Sequence, residues 1–137
     1  MNVEVGTTIG ELTVSLTRDS LVRYAGASTD FNPIHWSDGA AAALGLDGVI
    51  AHGMLTMGTA LRVVTDWIGD PAAVRRYSAR FTKPVVVPDD EVGVEVRCVG
   101  TVTSLEDGTA TITVEVTCGG EKVLGAVTAE VRTQGSA

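Results

Sequence analysis

The chain has 137 residues, of which 45% are hydrophobic and 20% charged, and its formal net charge is −7 at pH 7. This length fits a single domain covering residues 1–137, and the composition excludes a disordered chain. The acidic charge argues against binding to nucleic acid or anionic membranes, and no apolar run approaches the roughly 18 residues of a membrane span.

The N-terminal third is predicted to hold one strand and two short helices. Residues 1–10 are predicted to be irregular, and they lack the basic and apolar regions of a secretory signal, so we expect a cytoplasmic protein. Alternation of apolar and polar residues predicts a strand over 12–17. Thr17 is the predicted N-cap of a helix that ends near Gly26, and a further helix is predicted over 37–44.

The longest predicted helix extends over residues 52–68, where apolar residues recur at steps of three and four. The members of this series are Met54, Met57, Leu61, Val64 and Ile68. Other apolar residues cover most of the remaining surface and leave a narrow polar stripe that contains Thr59, Arg62 and Asp66. A helix that is apolar on nearly all sides is expected to be buried.

Alternating segments predict strands over 74–82, 92–98 and 110–118, and a Gly119-Gly120 hairpin leads to a last strand over 123–131. Cys98 and Cys118 lie on the apolar sides of two of these segments, so both are predicted to be buried, reduced thiols. One buried helix followed by a series of strands predicts an α+β domain in which an antiparallel sheet wraps around a central helix.

The segment between the first two predicted helices contains Asp30, Asn32, Pro33 and His35. A carboxylate and an imidazole can hold a water or hydroxyl between them and exchange protons with it. The Asn32 amide offers a donor and an acceptor that could orient either group. The same residue types are common in ordinary turns, and a histidine beside Trp36 is compatible with a packed core residue, so the pattern alone leaves both interpretations open.

Two motifs resemble those of the MaoC-like (R)-specific hydratase/dehydratase family. They are Tyr24-Ala25-x-x-Ser28-x-Asp30-x-Asn32-Pro33-Ile34-His35 and Ala51-His52-Gly53-Met54-Leu55. The likeness extends through residues 69–71 and 80–85, and it implies the hot-dog fold, a curved antiparallel sheet around one long helix. Within this family the chain is most similar to the catalytic subunit of two-subunit (3R)-hydroxyacyl-ACP dehydratases.

The resemblance implies reversible removal of water across C2–C3 of an acyl thioester in fatty acid elongation. Asp30 and His35 would be the catalytic pair, and Asn32 an assisting residue, with the order of proton transfers left open. The backbone N–H of Gly53 would line an oxyanion hole, which also agrees with the unpaired N–H groups at a helix start. No cofactor or metal is predicted, and His52, which lacks a second ligand at metal spacing, is expected to have a supporting role.

A local basic segment places four basic residues within the nine positions 75–83, on and just after the predicted strand over 74–82, and contains no acidic residue. Its members are Arg75, Arg76, Arg80 and Lys83. These residues fit a solvated strand face, or a docking site for an acidic acyl carrier protein or for coenzyme A phosphates. The resemblance further implies a dimer, either a homodimer or a heterodimer with a non-catalytic hot-dog paralogue.

Alternative functions are an (R)-specific enoyl-CoA hydratase of acyl-CoA degradation or polyester supply, a non-catalytic acyl-binding hot-dog subunit, and a hot-dog thioesterase. The Asp30, Asn32 and His35 set argues against a mere binding subunit, which does not need proton-transfer groups. The motif pattern matches hydratases better than thioesterases. The sequence does not indicate the length of the acyl chain or the direction of the reaction.

Overall fold

The computed structural model describes residues 3–133, which form three α-helices and six strands. The helices are α1 (Arg18–Ser28), α2 (Asp38–Ala43) and α3 (Gly53–Ile68). The strands are β1 (Thr8–Leu16), β2 (Val74–Phe81), β3 (Val94–Glu106), β4 (Thr109–Cys118), β5 (Glu121–Lys122) and β6 (Leu124–Arg132). Short 3₁₀ turns occupy Pro33–His35 and Pro71–Ala73. Within the described range, no helix combines the length and apolar character needed to cross a membrane.

The six strands form one antiparallel sheet in the spatial order β1-β3-β4-β6-β2, and the short β5 pairs with β4. Every second residue of the central strands points into the core. The buried members of β3 and β4 include Val96, Cys98, Val102, Ile112, Val114 and Val116. The predicted alternation of these strands is therefore confirmed, and β1 and β2 form the two edges of the sheet.

Helix α3 packs on the inner face of this curved sheet, where it contacts β1, β3 and β4 most closely. A Cβ atom on Gly100 of β3 would lie 2.8 Å from Cγ1 of Val63, so the missing side chain lets the helix approach the sheet. The predicted α+β architecture, a sheet wrapped around one long helix, is confirmed.

Helix α3 is buried or half-buried on most of its surface, as predicted, and its exposed residues form one stripe of Met54, Gly58, Arg62 and Asp66. The sheet covers one side of the helix, which buries Thr56, Thr59, Ala60, Val63 and Val64. Thr59 was placed on the polar stripe by its residue type, but its hydroxyl donates to a carbonyl one turn earlier in the helix, so it is buried at little cost.

On the opposite side of α3, apolar surface remains accessible. Met54 is 61% exposed, and of the predicted apolar series only Val64 is fully buried. Large apolar side chains left on a protein surface near one another are typical of a binding or assembly site.

Several predicted boundaries also differ from the structure, and the largest difference is the end of β3, which continues past Cys98 to Glu106. Strand β1 begins at Thr8, inside the segment predicted to be irregular, because β3 supplies its hydrogen-bond partners. Residues 1–2 of that segment lie outside the described range. Helix α1 is capped by Thr17 as predicted but continues past Gly26 to Ser28. Strand β3 begins at Val94 rather than Val92, because the Asp90 carboxylate accepts hydrogen bonds from the amides of Val92 and Gly93 and holds them in a turn.

The two cysteines are free, as predicted. Cys98 is fully buried on β3, whereas Cys118 is partly accessible at the end of β4. Burial raises the pKa of the Cys98 thiol to about 11 and also raises the pKa of Cys118. Both thiols are therefore protonated at neutral pH and unreactive, in agreement with a structural role.

The close approach of α3 to β3 predicts opposite effects for two glycine substitutions. Gly100→Ala should lower the free energy of unfolding by about 1–3 kcal/mol, because the added methyl group meets Val63 in a closed core. Gly58→Ala, at an exposed position of α3 with open space around it, should raise the free energy of unfolding by about 0.5–1 kcal/mol. Urea unfolding at one fixed protein concentration tests both variants, and equal effects would contradict the packing argument.

Candidate active site

The loop between α1 and α2 is held by its own short-range hydrogen bonds. Thr29 ends α1 in the left-handed region, with φ 63°. The carboxylate of Asp30 accepts a hydrogen bond from the amide of Asn32 at 3.2 Å, and the Asn32 side chain accepts one from the amide of Ile34 at 3.2 Å. Pro33 then starts the 3₁₀ turn, which directs His35 into the interior. The loop conformation is thus determined locally by side chains acting on the backbone.

His35 is buried, and a backbone carbonyl determines which of its ring nitrogens carries the hydrogen. Its Nδ1 lies 2.7 Å from the carbonyl oxygen of Ile50, which can only accept, so Nδ1 carries the hydrogen and donates. In the neutral ring this leaves the lone pair on Nε2. A second hydrogen bond joins the 3₁₀ turn to Ile50, since the amide of Ile50 donates to the carbonyl of Ile34 at 3.1 Å.

The carboxylate of Asp30 lies next to this free nitrogen. Its Oδ2 is 3.9 Å from Nε2 of His35, and the Asp30 side chain is 51% exposed. Asp30 and His35 both line one cavity of about 380 Å³. The structure therefore brings the two predicted proton-transfer groups together, at a separation that one water or hydroxyl oxygen can bridge.

Asn32 and Gly53 have different relations to this cavity. Asn32 caps the 3₁₀ turn and does not line the cavity, so its contact with Ile34 supports the loop between Asp30 and His35. Gly53 is the first residue of α3 and lines the cavity. Within residues 3–133 its backbone N–H has no acceptor, as expected at the start of a helix, where the macrodipole is also positive.

The backbone of Gly53 is covered by an aromatic ring. A Cβ atom at this position would lie 2.8 Å from Cε1 of Phe81, so a larger residue would displace the ring. Phe81 itself is 60% exposed and lines the cavity. The role of Phe81 was missed from the sequence because it ends an alternating strand, and nothing in that pattern indicates which helix it meets.

Most of the remaining cavity wall is apolar. It is formed by residues from the start of α3, from the segment after β2 and from the beginning of β6. These residues are Ile50, Ala51, Met54, Pro84, Val85, Val123 and Leu124. A cavity with a few polar groups at one place and an otherwise apolar wall suits a ligand with a reactive polar head and a hydrocarbon chain.

His52 lies behind the cavity wall and contacts both Asp30 and His35. It is 1% exposed, its Nε2 lies 3.1 Å from the backbone carbonyl of Asp30, and its ring stacks on that of His35. Burial lowers the pKa of His52 from its ordinary value, although the hydrogen bond to the Asp30 backbone opposes this effect. His52 is therefore a neutral imidazole at neutral pH.

The ligating atoms of Asp30, His35 and His52 lie within 4.8 Å of one another, and no other such trio of metal-binding side chains occurs in residues 3–133. Two imidazole nitrogens of this set already donate to backbone carbonyls. A metal would therefore bind through the two remaining nitrogens and the carboxylate. His52 is almost inaccessible, which makes this donor set a poor fit for an exchangeable metal ion.

The basic segment lies at the edge of the sheet. Arg75, Arg76 and Arg80 are exposed on β2, and none of them lines the cavity. Lys83 lines the cavity and forms an ion pair with Glu121. The structure thus brings only Lys83 to the cavity wall, while the three arginines lie on the edge strand β2, outside the cavity lining.

Two curated relatives match parts of the chain. A fatty acid synthase beta subunit of Emericella nidulans is 41% identical over 81 residues, which cover 58% of this chain and 4% of that protein. A 3-hydroxyacyl-thioester dehydratase X of Mycobacterium tuberculosis is 41% identical over 73 residues, which cover 53% of this chain and 25% of that protein. The chain thus spans a quarter or less of the length of these relatives.

Three solved structures share the fold over almost the whole chain. A MaoC-like dehydratase superposes with a TM-score of 0.92 at 38% identity, covering 97% of this chain and 41% of that chain. The R-hydratase PhaJ1 of Pseudomonas aeruginosa gives 0.81 at 26% identity, with 98% and 84% covered. The ChsH1-ChsH2 complex of Mycobacterium tuberculosis gives 0.79 at 27% identity, with 96% of each chain covered, so one of these homologues occurs in a two-component assembly.

The sequence profile of the MaoC-like domain matches residues 2–122, which include both motifs, the loop with Asp30 and His35, and the whole of α3. The resemblance drawn from the motifs is therefore confirmed. The chain belongs to the MaoC-like domain family.

Proposed function

We propose that the chain is a hydro-lyase that adds or removes water across C2–C3 of an acyl thioester, as a (3R)-hydroxyacyl-thioester dehydratase or (R)-specific enoyl-thioester hydratase. The observation that carries this proposal is the pairing of the Asp30 carboxylate with Nε2 of His35, 3.9 Å apart on the wall of an apolar cavity. The names of the relatives, a 3-hydroxyacyl-thioester dehydratase and an R-hydratase, support the same reaction class.

The tautomer of His35 supports one order of proton transfers, in which His35 acts at C2 and Asp30 at the 3-hydroxyl group. Because Nδ1 donates to Ile50, Nε2 is the atom that takes the C2 proton of a hydroxyacyl thioester. Asp30, in its protonated form, gives its proton to the departing 3-hydroxyl group, which leaves as water, and the proton now on Nε2 of His35 returns to the Asp30 carboxylate by way of solvent. In the reverse direction, a water held between the two groups gives its oxygen to C3 of the enoyl thioester and one proton to the Asp30 carboxylate, while protonated His35 gives its proton to C2.

The start of α3 stabilises the charge that this reaction creates. Loss of the C2 proton places negative charge on the thioester carbonyl oxygen, and the free N–H of Gly53 lines the same cavity as the catalytic pair. The N–H of Gly53 can donate a hydrogen bond to that oxygen, and the helix macrodipole adds to the stabilisation.

A second subunit completes the assembly in this proposal. Met54 of α3 and Phe81 of β2 leave apolar surface exposed next to the cavity. A second hot-dog subunit, either another copy or a paralogue, would cover this surface. The two-component complex among the homologues supports such an arrangement.

The test is loss of enoyl-thioester absorbance when purified protein is added to matched substrates on coenzyme A and on acyl carrier protein. We expect hydration with at least one of these carriers, for the protein alone or co-expressed with a hot-dog paralogue. A protein that binds acyl thioesters but leaves their absorbance unchanged in every combination would be an acyl-binding subunit, and the proposal would be wrong.

An acidic acyl carrier protein is the proposed carrier, because Arg76 and Arg80 are exposed on β2, the strand whose last residue, Phe81, lines the cavity. The double variant Arg76→Glu/Arg80→Glu should raise KM for carrier-protein substrates by about 10-fold at low salt. It should change KM for coenzyme A substrates by less than about 2-fold, and the difference should shrink as salt rises.

Arg23→Glu is the matched control for this charge reversal, because Arg23 is exposed on α1 and is paired with Asp19, away from β2. Its KM values should remain those of the wild type. Equal losses for both carriers in the β2 variant would contradict docking of a carrier protein on this strand.

A further inference from the structure

His52 connects three parts of the site without reaching the cavity. Its ring stacks on that of His35 with a centroid distance of 3.8 Å and an interplanar angle of 20°. The ring of Tyr24 on α1 meets the His52 ring edge-on, with the centroids 4.8 Å apart. Nε2 of His52 lies 3.1 Å from the carbonyl oxygen of Asp30. Its own carbonyl accepts the first hydrogen bonds of α3, so it also precedes the backbone N–H of Gly53.

These contacts determine the form of the imidazole. The carbonyl of Asp30 can only accept, so Nε2 of His52 carries the hydrogen and Nδ1 holds a lone pair. This Nδ1 is buried and has no hydrogen-bond partner among residues 3–133. A proton added at Nδ1 would create an unpaired buried donor and a charge stacked against His35, both of which are unfavourable.

The ionisable groups that face His52 come from three elements. They are Tyr24 on α1, Asp30 on the loop and His35 on the 3₁₀ turn. Asp30 favours a charge on His52, whereas burial and the neighbouring imidazole oppose it, and burial is the largest effect, so the pKa of His52 is lowered. A lowered pKa means that the neutral ring is favoured, which agrees with the Nδ1 atom that has no hydrogen-bond partner among residues 3–133.

We propose that His52 is a positioning residue, a neutral imidazole that holds the Asp30 backbone and the His35 ring in register and leaves His35 as the only histidine that changes charge. This role rests on the proposed hydro-lyase function. Since His35 gains and loses a proton in that reaction, a second titrating imidazole in stacked contact would compete for the proton and repel the charged form. A neutral ring gives the same packing without that competition.

Nuclear magnetic resonance of ¹⁵N-histidine-labelled protein tests the charge state without any substrate. The chain contains only two histidines, so His52→Gln and His35→Asn assign both rings. From about pH 8 to about pH 6, His52 should retain the signals of a neutral ring with the hydrogen on Nε2. A His52 ring that gains a proton near the ordinary pKa of about 6.5, or that carries its hydrogen on Nδ1, would overturn the proposal.

Two substitutions separate the hydrogen bond from the ring. His52→Gln can keep an N–H near the position of Nε2, whereas His52→Phe keeps a ring and loses the donor. We expect His52→Phe to lower kcat by about 10- to 100-fold with KM within about 2-fold of wild type, because misplacement of Asp30 by an ångström has effects of this size. His52→Gln should retain most of the kcat that His52→Phe loses.

Loss of thermal stability that is equal in both variants, with parallel losses of kcat, would show that His52 only fills space and would contradict the positioning role. Failure of the proposed function is distinguishable from this result. A wild-type protein with no hydratase activity but a neutral His52 in the spectra would overturn the reaction and leave the charge state of the buried imidazole in place.

Discussion

Asp30→Asn should lower kcat for hydration of an enoyl thioester by about 10²- to 10⁴-fold, because it removes one of the two proton-transfer groups. The substitution is nearly isosteric. An asparagine side-chain oxygen can still accept the hydrogen bond from the Asn32 amide, so the loop should keep its conformation. His35→Asn should have an effect of similar size, since an amide nitrogen can replace Nδ1 as donor to Ile50 but offers no base at the position of Nε2.

Asp66→Asn is the matched control, because Asp66 is exposed on α3 and does not line the cavity. It removes the same charge and should leave kcat within about 2-fold of wild type. Comparison of initial rates with melting temperatures separates chemistry from folding. Variants at Asp30 and His35 that fold normally and keep more than a tenth of wild-type kcat would refute the assignment of this pair.

Gly53→Ala should lower kcat/KM by about 10²-fold, although it keeps the backbone N–H. The new methyl group would lie 2.8 Å from the ring of Phe81, so either the ring or the helix start must move. The ring is exposed and can turn away, and we therefore expect a small change in stability beside a large change in activity. Such a shift displaces the N–H from the carbonyl oxygen that it is proposed to stabilise.

The matched control is Gly26→Ala on α1, where an added Cβ meets nothing within 4 Å. Its activity should equal that of the wild type. Combining Gly53→Ala with Phe81→Ala removes the clash and should restore part of the lost kcat/KM if the displaced ring is its cause. A double variant as inactive as Gly53→Ala alone would instead place the loss in blocked approach of the substrate carbonyl.

Motif and periodicity predicted much of the fold and of the candidate site. The alternation of β3 and β4, the cap at Thr17 and the start of α3 next to Gly53 are all local properties of the chain, and the structure agrees with them. The pairing of Asp30 with His35 could also be predicted from the sequence, because both side chains lie on one short loop that is ordered by its own hydrogen bonds.

What sequence reasoning missed depends on contacts between distant segments. Met54 belongs to the predicted apolar series of α3 yet is exposed, because periodicity identifies apolar residues without showing which side of the helix the sheet covers. The fixed tautomer of His35 comes from the carbonyl of Ile50, a backbone atom that carries no signal of residue type. The ring of Phe81 over Gly53 likewise requires β2 to return to the start of α3.

The cavity is built from two separate parts of the chain, and this division bears on how such enzymes diversify. In the proposed function, every group that moves a proton or stabilises charge lies between Asp30 and Gly53, whereas much of the apolar wall comes from residues 81–85 and from Val123 and Leu124. Apart from Phe81, whose ring lies against Gly53, side chains of the second set can change the space for the acyl chain without altering the first. Substrate range can thus drift, in evolution or in directed selection, while the reaction itself is inherited unchanged.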